Sequence, residues 1–151
     1  MTDPALVHAA LLERGLTVGC AESLTGGELA AMLSATPGAS ATFVGGVVSY
    51  STEVKRRLLA VTAAEVVSGE CAVQMAAGAR DLLEVDWALS TTGVAGPDLQ
   101  EGQPVGTVFV GLAGSDTARF VRLSLDGDRD AIRAGACAGA LELLLAEVAR
   151  G

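Results

Sequence analysis

The chain has 151 residues, half of them apolar but only 3% aromatic, which suits one domain with a core of Ala, Val and Leu. A formal net charge of −8 argues against a main role on DNA or RNA, because an acidic surface repels phosphate backbones. One histidine and three scattered cysteines cannot build a four-ligand zinc site, and no apolar run approaches the ~20 residues that span a bilayer.

Met1-Thr2-Asp3-Pro4 is polar and acidic, unlike a secretory signal. Asp3-Pro4 opens a helix whose face is Leu6, Ala9, Ala10 and Leu12, and Gly15 closes it. Leu16 to Cys20 reads as a short buried strand, and Glu28 to about Ala35 as the next helix. Between them lies Cys20-Ala21-Glu22-Ser23-Leu24-Thr25-Gly26-Gly27. Ser23 therefore sits where a strand passes into a helix, beside unpaired N–H groups and a positive dipole end. A hydroxyl there serves either as a helix cap or as a nucleophile with an oxyanion site beside it.

Thr36 to Ser40 is a turn, and Phe43 to Tyr50 reads as a buried strand with a close approach or bulge at Gly45-Gly46. Ser51 or Thr52 caps a short helix carrying Lys55. Thr62 to Leu83 reads as one or two helices with Ser68 a possible internal cap. Trp87 to Thr92 is a third buried strand, running into Gly93-Val94-Ala95-Gly96-Pro97. Val105 to Ala113 and Thr117 to Leu125 form a hairpin about Gly114-Ser115-Asp116. Asp126-Gly127-Asp128 caps a last helix from Arg129 to about Val148, buried along Ile132, Ala136, Ala140, Leu143 and Leu144. About five strands interleaved with helices imply an α/β fold, with a mixed, mostly parallel sheet covered on both faces. Sites in such sheets form at the carboxyl ends of the strands, where Ser23, Tyr50 to Lys55 and Thr91 to Pro97 all fall.

His8, the only histidine, falls on the first helix, which argues against a Ser-His-Asp triad. Lys55 is the only lysine and Tyr50 the only tyrosine. A buried lysine with a lowered pKa is a competent base, whereas an exposed one is a plain surface charge. The Gly93 to Pro97 loop either turns the chain or holds a phosphate or sugar through backbone N–H groups. It is neither a Walker loop nor a dinucleotide fingerprint. Arg129 and Arg133 serve an incoming anion or simply solvate the helix start beside Asp128 and Asp130. Cys20, Cys71 and Cys137 read as core thiols of a cytoplasmic protein.

The stretches AESLTGG, PGAS-x-x-FVGGVVSY-x-x-x-x-K, STTGVAGP and PVGTV occur in this order. Together they resemble the CinA carboxy-terminal domain family, over essentially the whole chain from Leu6 to the last helix. Members of that family are nicotinamide mononucleotide deamidases. The resemblance implies one three-layer α/β/α amidohydrolase domain over residues 1–151. It also implies hydrolysis of the carboxamide of nicotinamide mononucleotide to the acid and ammonia, in pyridine nucleotide recycling. By the same resemblance Ser23 is the nucleophile, Lys55 its base and Tyr50 a relay or orienting group. Substrate contacts are then expected from Glu22, Thr25, Gly26, Gly27, Gly45, Gly46, Thr92, Gly93 and Arg133, with Arg129 as the alternative arginine. Neither a metal nor a cofactor is expected, nor a nucleic-acid or membrane partner. Self-association is expected, as for other small α/β enzymes of this type.

Two departures qualify the resemblance. The connection from Leu59-Ala60-Val61 to Glu65-Val66-Val67-Ser68 is shorter than the family's by a few residues. The chain also lacks the amino-terminal domain, resembling molybdopterin-binding proteins, that larger members carry, so a stand-alone version is expected. Two other readings stay open: a module that binds pyridine nucleotides without turning them over, and a competence- or DNA-damage-related interaction protein.

Overall fold

The structure, a computed structural model, describes residues 2–151. In chain order it contains α1 (Pro4–Arg14), β1 (Val18–Glu22), α2 (Glu28–Ser34), β2 (Phe43–Val48), α3 (Thr52–Leu59), α4 (Gly69–Leu83), β3 (Trp87–Gly93), β4 (Thr107–Ala113), β5 (Ala118–Ser124) and α5 (Arg129–Arg150), with a 3-10 turn at Ala39–Ala41 before β2. The five strands form one sheet in the order β2-β1-β3-β4-β5. β1 pairs in parallel with both β2 and β3, while β3–β4 and β4–β5 are antiparallel. Four strands therefore run one way and β4 alone runs back. The expected mixed sheet is present, but its ladders divide evenly between the two kinds instead of being mostly parallel, because the β4–β5 hairpin adds two antiparallel ladders.

Alternation along β1 and β3 sorts the core into two layers. Val18, Cys20 and Leu89 join Val7 and Leu11 of α1, Leu29 and Leu33 of α2 and the apolar stripe of α5 on one face. Ala21 and Ala88 face Cys71, Met75 and Ala79 of α4 and Leu59 of α3 on the other. The α4 side of the sheet is built of small residues, and that lets the helix come close: Ser90 donates to the Ala72 carbonyl, and a side chain at Gly111 would collide with that same carbonyl.

Caps fix where the helices begin. Asp3, Ser51, Ser68 and Asp128 each accept a backbone N–H at the start of α1, α3, α4 and α5. The stretch expected as one or two helices thus resolves into an irregular segment up to Ser68 and one helix after it. That short segment is tied down: Gln74 accepts from the N–H groups of Thr62 and Ala63, and Glu101 from those of Val66 and Val67. The strand expected to be buried at Phe43 to Tyr50 is instead the sheet edge, where Val44 and Val48 stay about half exposed. Among the described residues no helix is long and apolar enough to cross a membrane.

Candidate active site

β1 ends at Glu22, and the chain then turns at the carboxyl edge of the sheet. Ser23 N–H donates to the Thr91 carbonyl at 3.0 Å, and Gly26 N–H donates back to the Ser23 carbonyl at 3.1 Å, closing a turn. Gly26 and Gly27 have φ of 56° and 107°, the left-handed region in which glycine costs least. Gly27 caps α2 but has no side chain to do so. Glu22 fills that role from within the sheet. Its Oε1 accepts from Leu29 N–H at 2.8 Å and from the Thr25 hydroxyl at 2.6 Å, and its Oε2 accepts from Ala30 N–H at 3.0 Å. The Thr91 hydroxyl lies 2.7 Å from that of Thr25, whose proton is already given to Glu22, so Thr91 donates. The N–H groups of Leu24, Thr25 and Gly27 have no acceptor within the described chain.

β2 leads into the second part of the site. Ser49 donates through both its N–H and its hydroxyl to the Glu22 carbonyl, binding the ends of β1 and β2 together. α3 then starts at once, capped by Ser51, and its first turn carries Lys55 back over the strand end. The Lys55 side chain is 1% exposed. Its Nζ lies 2.9 Å from Ser23 Oγ and donates to the Tyr50 carbonyl at 3.0 Å. Burial pushes its pKa below the ordinary lysine value, and nearby Cys71 and Glu101 offset that in part. Among the described residues no carboxylate lies within ion-pair distance of it. The positive end of α3 also disfavours the ammonium form. The result is an amine held against a hydroxyl, with a carbonyl fixing its direction.

A cavity of about 440 Å³ opens at Ser23, a size that suits a small-molecule ligand. Its walls are Ser23, Leu24, Tyr50, residues 93–100 and Arg129. Gly93 must be glycine, since a Cβ there would fall 2.6 Å from the Thr107 carbonyl. Arg129 bridges the opening, donating to the Gly96 carbonyl at 2.7 Å and to the Tyr50 hydroxyl at 2.9 Å. It is the one cation in the lining, and Asp98 the one carboxylate.

The structure brings Ser23, Lys55, Tyr50, Gly93 and the Gly26-Gly27 turn to one edge, as the motifs suggested, but it reassigns several neighbours. Glu22 is 1% exposed, with both carboxylate oxygens committed to α2, so it organises the turn and does not face the cavity. The Thr25 hydroxyl is consumed in the same network, and that of Thr92 donates to the Val66 carbonyl. Gly45 and Gly46 lie back along β2: a Cβ on Gly46 would meet Cys20 Sγ at 2.8 Å, and one on Gly45 would meet Leu83. They are packing positions. Arg133 turns inward, Nε donating to the Leu24 carbonyl and Nη2 to that of Thr25, both at 3.0 Å. Arg129, the expected alternative, is the arginine that lines the cavity. Tyr50 touches Lys55 through its carbonyl; its phenol meets Arg129 instead. Residues 98–100 were not foreseen as walls, because nothing in a short polar loop indicates which way it folds. The shortened segment after Val61 does not line the cavity. His8 is bound to the Thr42 hydroxyl, and the three cysteines are buried and free.

The model of the CinA C-terminal domain matches residues 3–148. A CinA-like protein of Frankia casuarinae is 49% identical over 144 residues, covering 92% of this chain and 33% of its own length. The chain thus spans about a third of the length of the curated relatives it matches. Solved structures agree over whole chains. The competence damage-inducible protein A (ComA) of Klebsiella pneumoniae superposes with a TM-score of 0.93 at 36% identity, covering 97% of this chain and 94% of that one. A competence-damaged protein (CinA) superfamily protein of the same species gives 0.94 at 34% identity over the full length of both.

Proposed function

The chain belongs to the CinA C-terminal domain family, and from that premise we propose that it is an amidohydrolase acting on nicotinamide mononucleotide. The observation that carries this reading is the buried Lys55 amine 2.9 Å from Ser23 Oγ at the wall of a nucleotide-sized cavity. A lysine whose pKa burial lowers gives up its proton more readily and can act as a base, and a serine beside it is a nucleophile.

In this mechanism one N–H of Lys55 stays on the Tyr50 carbonyl, and the amine lone pair faces the Ser23 hydroxyl. Ser23 Oγ attacks the carboxamide carbon while its proton passes to Lys55 Nζ. The developing oxyanion is received by those N–H groups of the 24–27 turn that have no acceptor of their own, first among them that of Leu24 at the cavity wall. Lys55 returns the proton to the leaving nitrogen, the C–N bond breaks and ammonia departs. Water then attacks the ester and gives a proton to Lys55, which passes it to Ser23 Oγ as the ester C–O bond breaks and the acid is released. The ribose phosphate lies toward residues 93–96 and Arg129, the cation in the lining.

Hydroxylamine tests acyl transfer directly. With nicotinamide mononucleotide and hydroxylamine, the protein should form the hydroxamate as well as the acid. Acid and ammonia without hydroxamate would point to direct attack by water in place of Ser23. No product at all would replace the amidase with a module that binds the nucleotide and leaves it intact.

A further inference from the structure

Arg133 holds no part of the cavity, yet it makes two hydrogen bonds to the turn that Ser23 opens. Its Nε donates to the carbonyl of Leu24 and its Nη2 to that of Thr25. In a planar trans peptide the carbonyl and the following N–H point in opposite directions. The peptide joining Leu24 to Thr25 therefore turns its oxygen toward the guanidinium and its N–H away from it. That N–H, on Thr25, has no acceptor in the described chain, but Thr25 is fully buried and outside the cavity lining, whereas Leu24, whose N–H is also unpaired, forms part of the wall. The next peptide is fixed at both ends, its carbonyl on Arg133 and its Gly26 N–H on the Ser23 carbonyl.

Several features hold the guanidinium in this pose. Glu28 Oε2 lies 4.0 Å from Nη2. Gly26 leaves room for it, since a Cβ there would come within 3.3 Å of Nη2. The side chain is only 29% exposed, and it enters from α5, across the sheet from the layer that carries Lys55. A positive charge on the Thr25 carbonyl strengthens the bond from Gly26 N–H to the Ser23 carbonyl, and that carbonyl shares its peptide with the Leu24 N–H at the cavity wall.

We infer that Arg133 is a positioning residue that locks the turn so that the Leu24 N–H at the cavity wall is aimed as an oxyanion donor, leaving Arg129 as the arginine that meets the substrate. The inference rests on the amidase reading above. It departs from the role in substrate binding that the sequence resemblance implies for Arg133, and it gives the two arginines, one helical turn apart, separable kinetic signatures.

The test compares Arg133→Ala and Arg129→Ala on nicotinamide mononucleotide, with Arg133→Lys as a second variant that keeps a cation near Glu28 but cannot span both carbonyls. Both Arg133 variants should lose kcat by about tenfold to a hundredfold, the scale of a misaimed oxyanion donor, with KM changed less than about threefold. Millimolar guanidinium should restore part of the kcat of Arg133→Ala. Arg129→Ala should instead raise KM. A second readout needs no substrate: labelling of Ser23 by a sulfonyl fluoride, followed by mass spectrometry, should slow in the Arg133 variants. An increase in KM with unchanged kcat for Arg133→Ala would make it a substrate ligand and overturn the inference, as would labelling at the wild-type rate. A wild-type protein that labels at Ser23 but releases no ammonia would overturn the substrate assignment while leaving the Arg133 comparison readable through labelling.

Discussion

At the scale of single residues, burial decides what Lys55 can do. Replacing it by Met keeps the volume and removes the amine. Turnover should fall by about 10²- to 10⁴-fold, the usual contribution of a general base. Stability at neutral pH should not fall and should rise by about 1–3 kcal/mol, because an apolar side chain replaces a buried ionisable group that has no carboxylate partner. The pH dependence has a definite sign. The folded pKa lies below the unfolded value, so between the two the unfolded chain binds more protons and wild-type stability climbs with pH relative to the Met variant. Urea unfolding of both proteins from pH 6 to 10 measures it, and parallel curves would contradict the burial argument. Activity should also rise with pH through that same lowered pKa. Glu22→Gln probes the other buried group. One amide oxygen cannot replace two carboxylate oxygens that together accept three hydrogen bonds, so a loss of about 2–3 kcal/mol is expected in the same urea assay. Motifs made Ser23 and Lys55 legible in the sequence, because hydroxyl, amine and strand ends occur at fixed spacing. Motifs do not give direction. Glu22, Thr25 and Thr92 stand beside Ser23 and Gly93 but point into the fold, and Arg129 and Arg133 share one helix face, so spacing could not tell which reaches the cavity.

At the scale of elements, α3 matters because it delivers Lys55, and two features set its place. Ser51 caps it, and Ser51→Ala should cost about 1 kcal/mol with a matching loss of kcat as the first turn frays. Its carboxyl end rests on α4 at Gly78, where a Cβ would lie 2.8 Å from Leu59 Cα. Helix propensity alone predicts that Gly78→Ala stabilises by up to about 1 kcal/mol. The close packing predicts the reverse, destabilisation with displacement of α3 and loss of activity. Thermal unfolding decides between them by sign. The caps were legible in the sequence, since Asp3, Ser51, Ser68 and Asp128 all begin helices. Strand position was not. Phe43 to Val48 has the apolar character of a central strand, but its place at the edge follows from which strands pair, and only the assembled sheet contains that information.

At the scale of the molecule, a core poor in aromatic residues depends on close approach of small side chains, and that seals its thiols. Burial pushes Cys20 up, Cys71 to about 11 and Cys137 to about 12, so all three stay protonated at neutral pH. A thiol reagent should label none in the native protein and all three after denaturation; fast native labelling would mean that one of the two layers is open. The α/β class and mixed sheet were legible because strands and helices alternate and a hairpin follows the third strand. The even division of parallel and antiparallel ladders was not, since it depends on where that hairpin joins. The central claim, that this edge of the sheet cleaves an amide through Ser23 and Lys55, is tested most directly by ammonia release from nicotinamide mononucleotide by purified protein. The account predicts release by the wild type that disappears in both Ser23→Ala and Lys55→Met, each folded by circular dichroism. Undiminished release in either variant would contradict it.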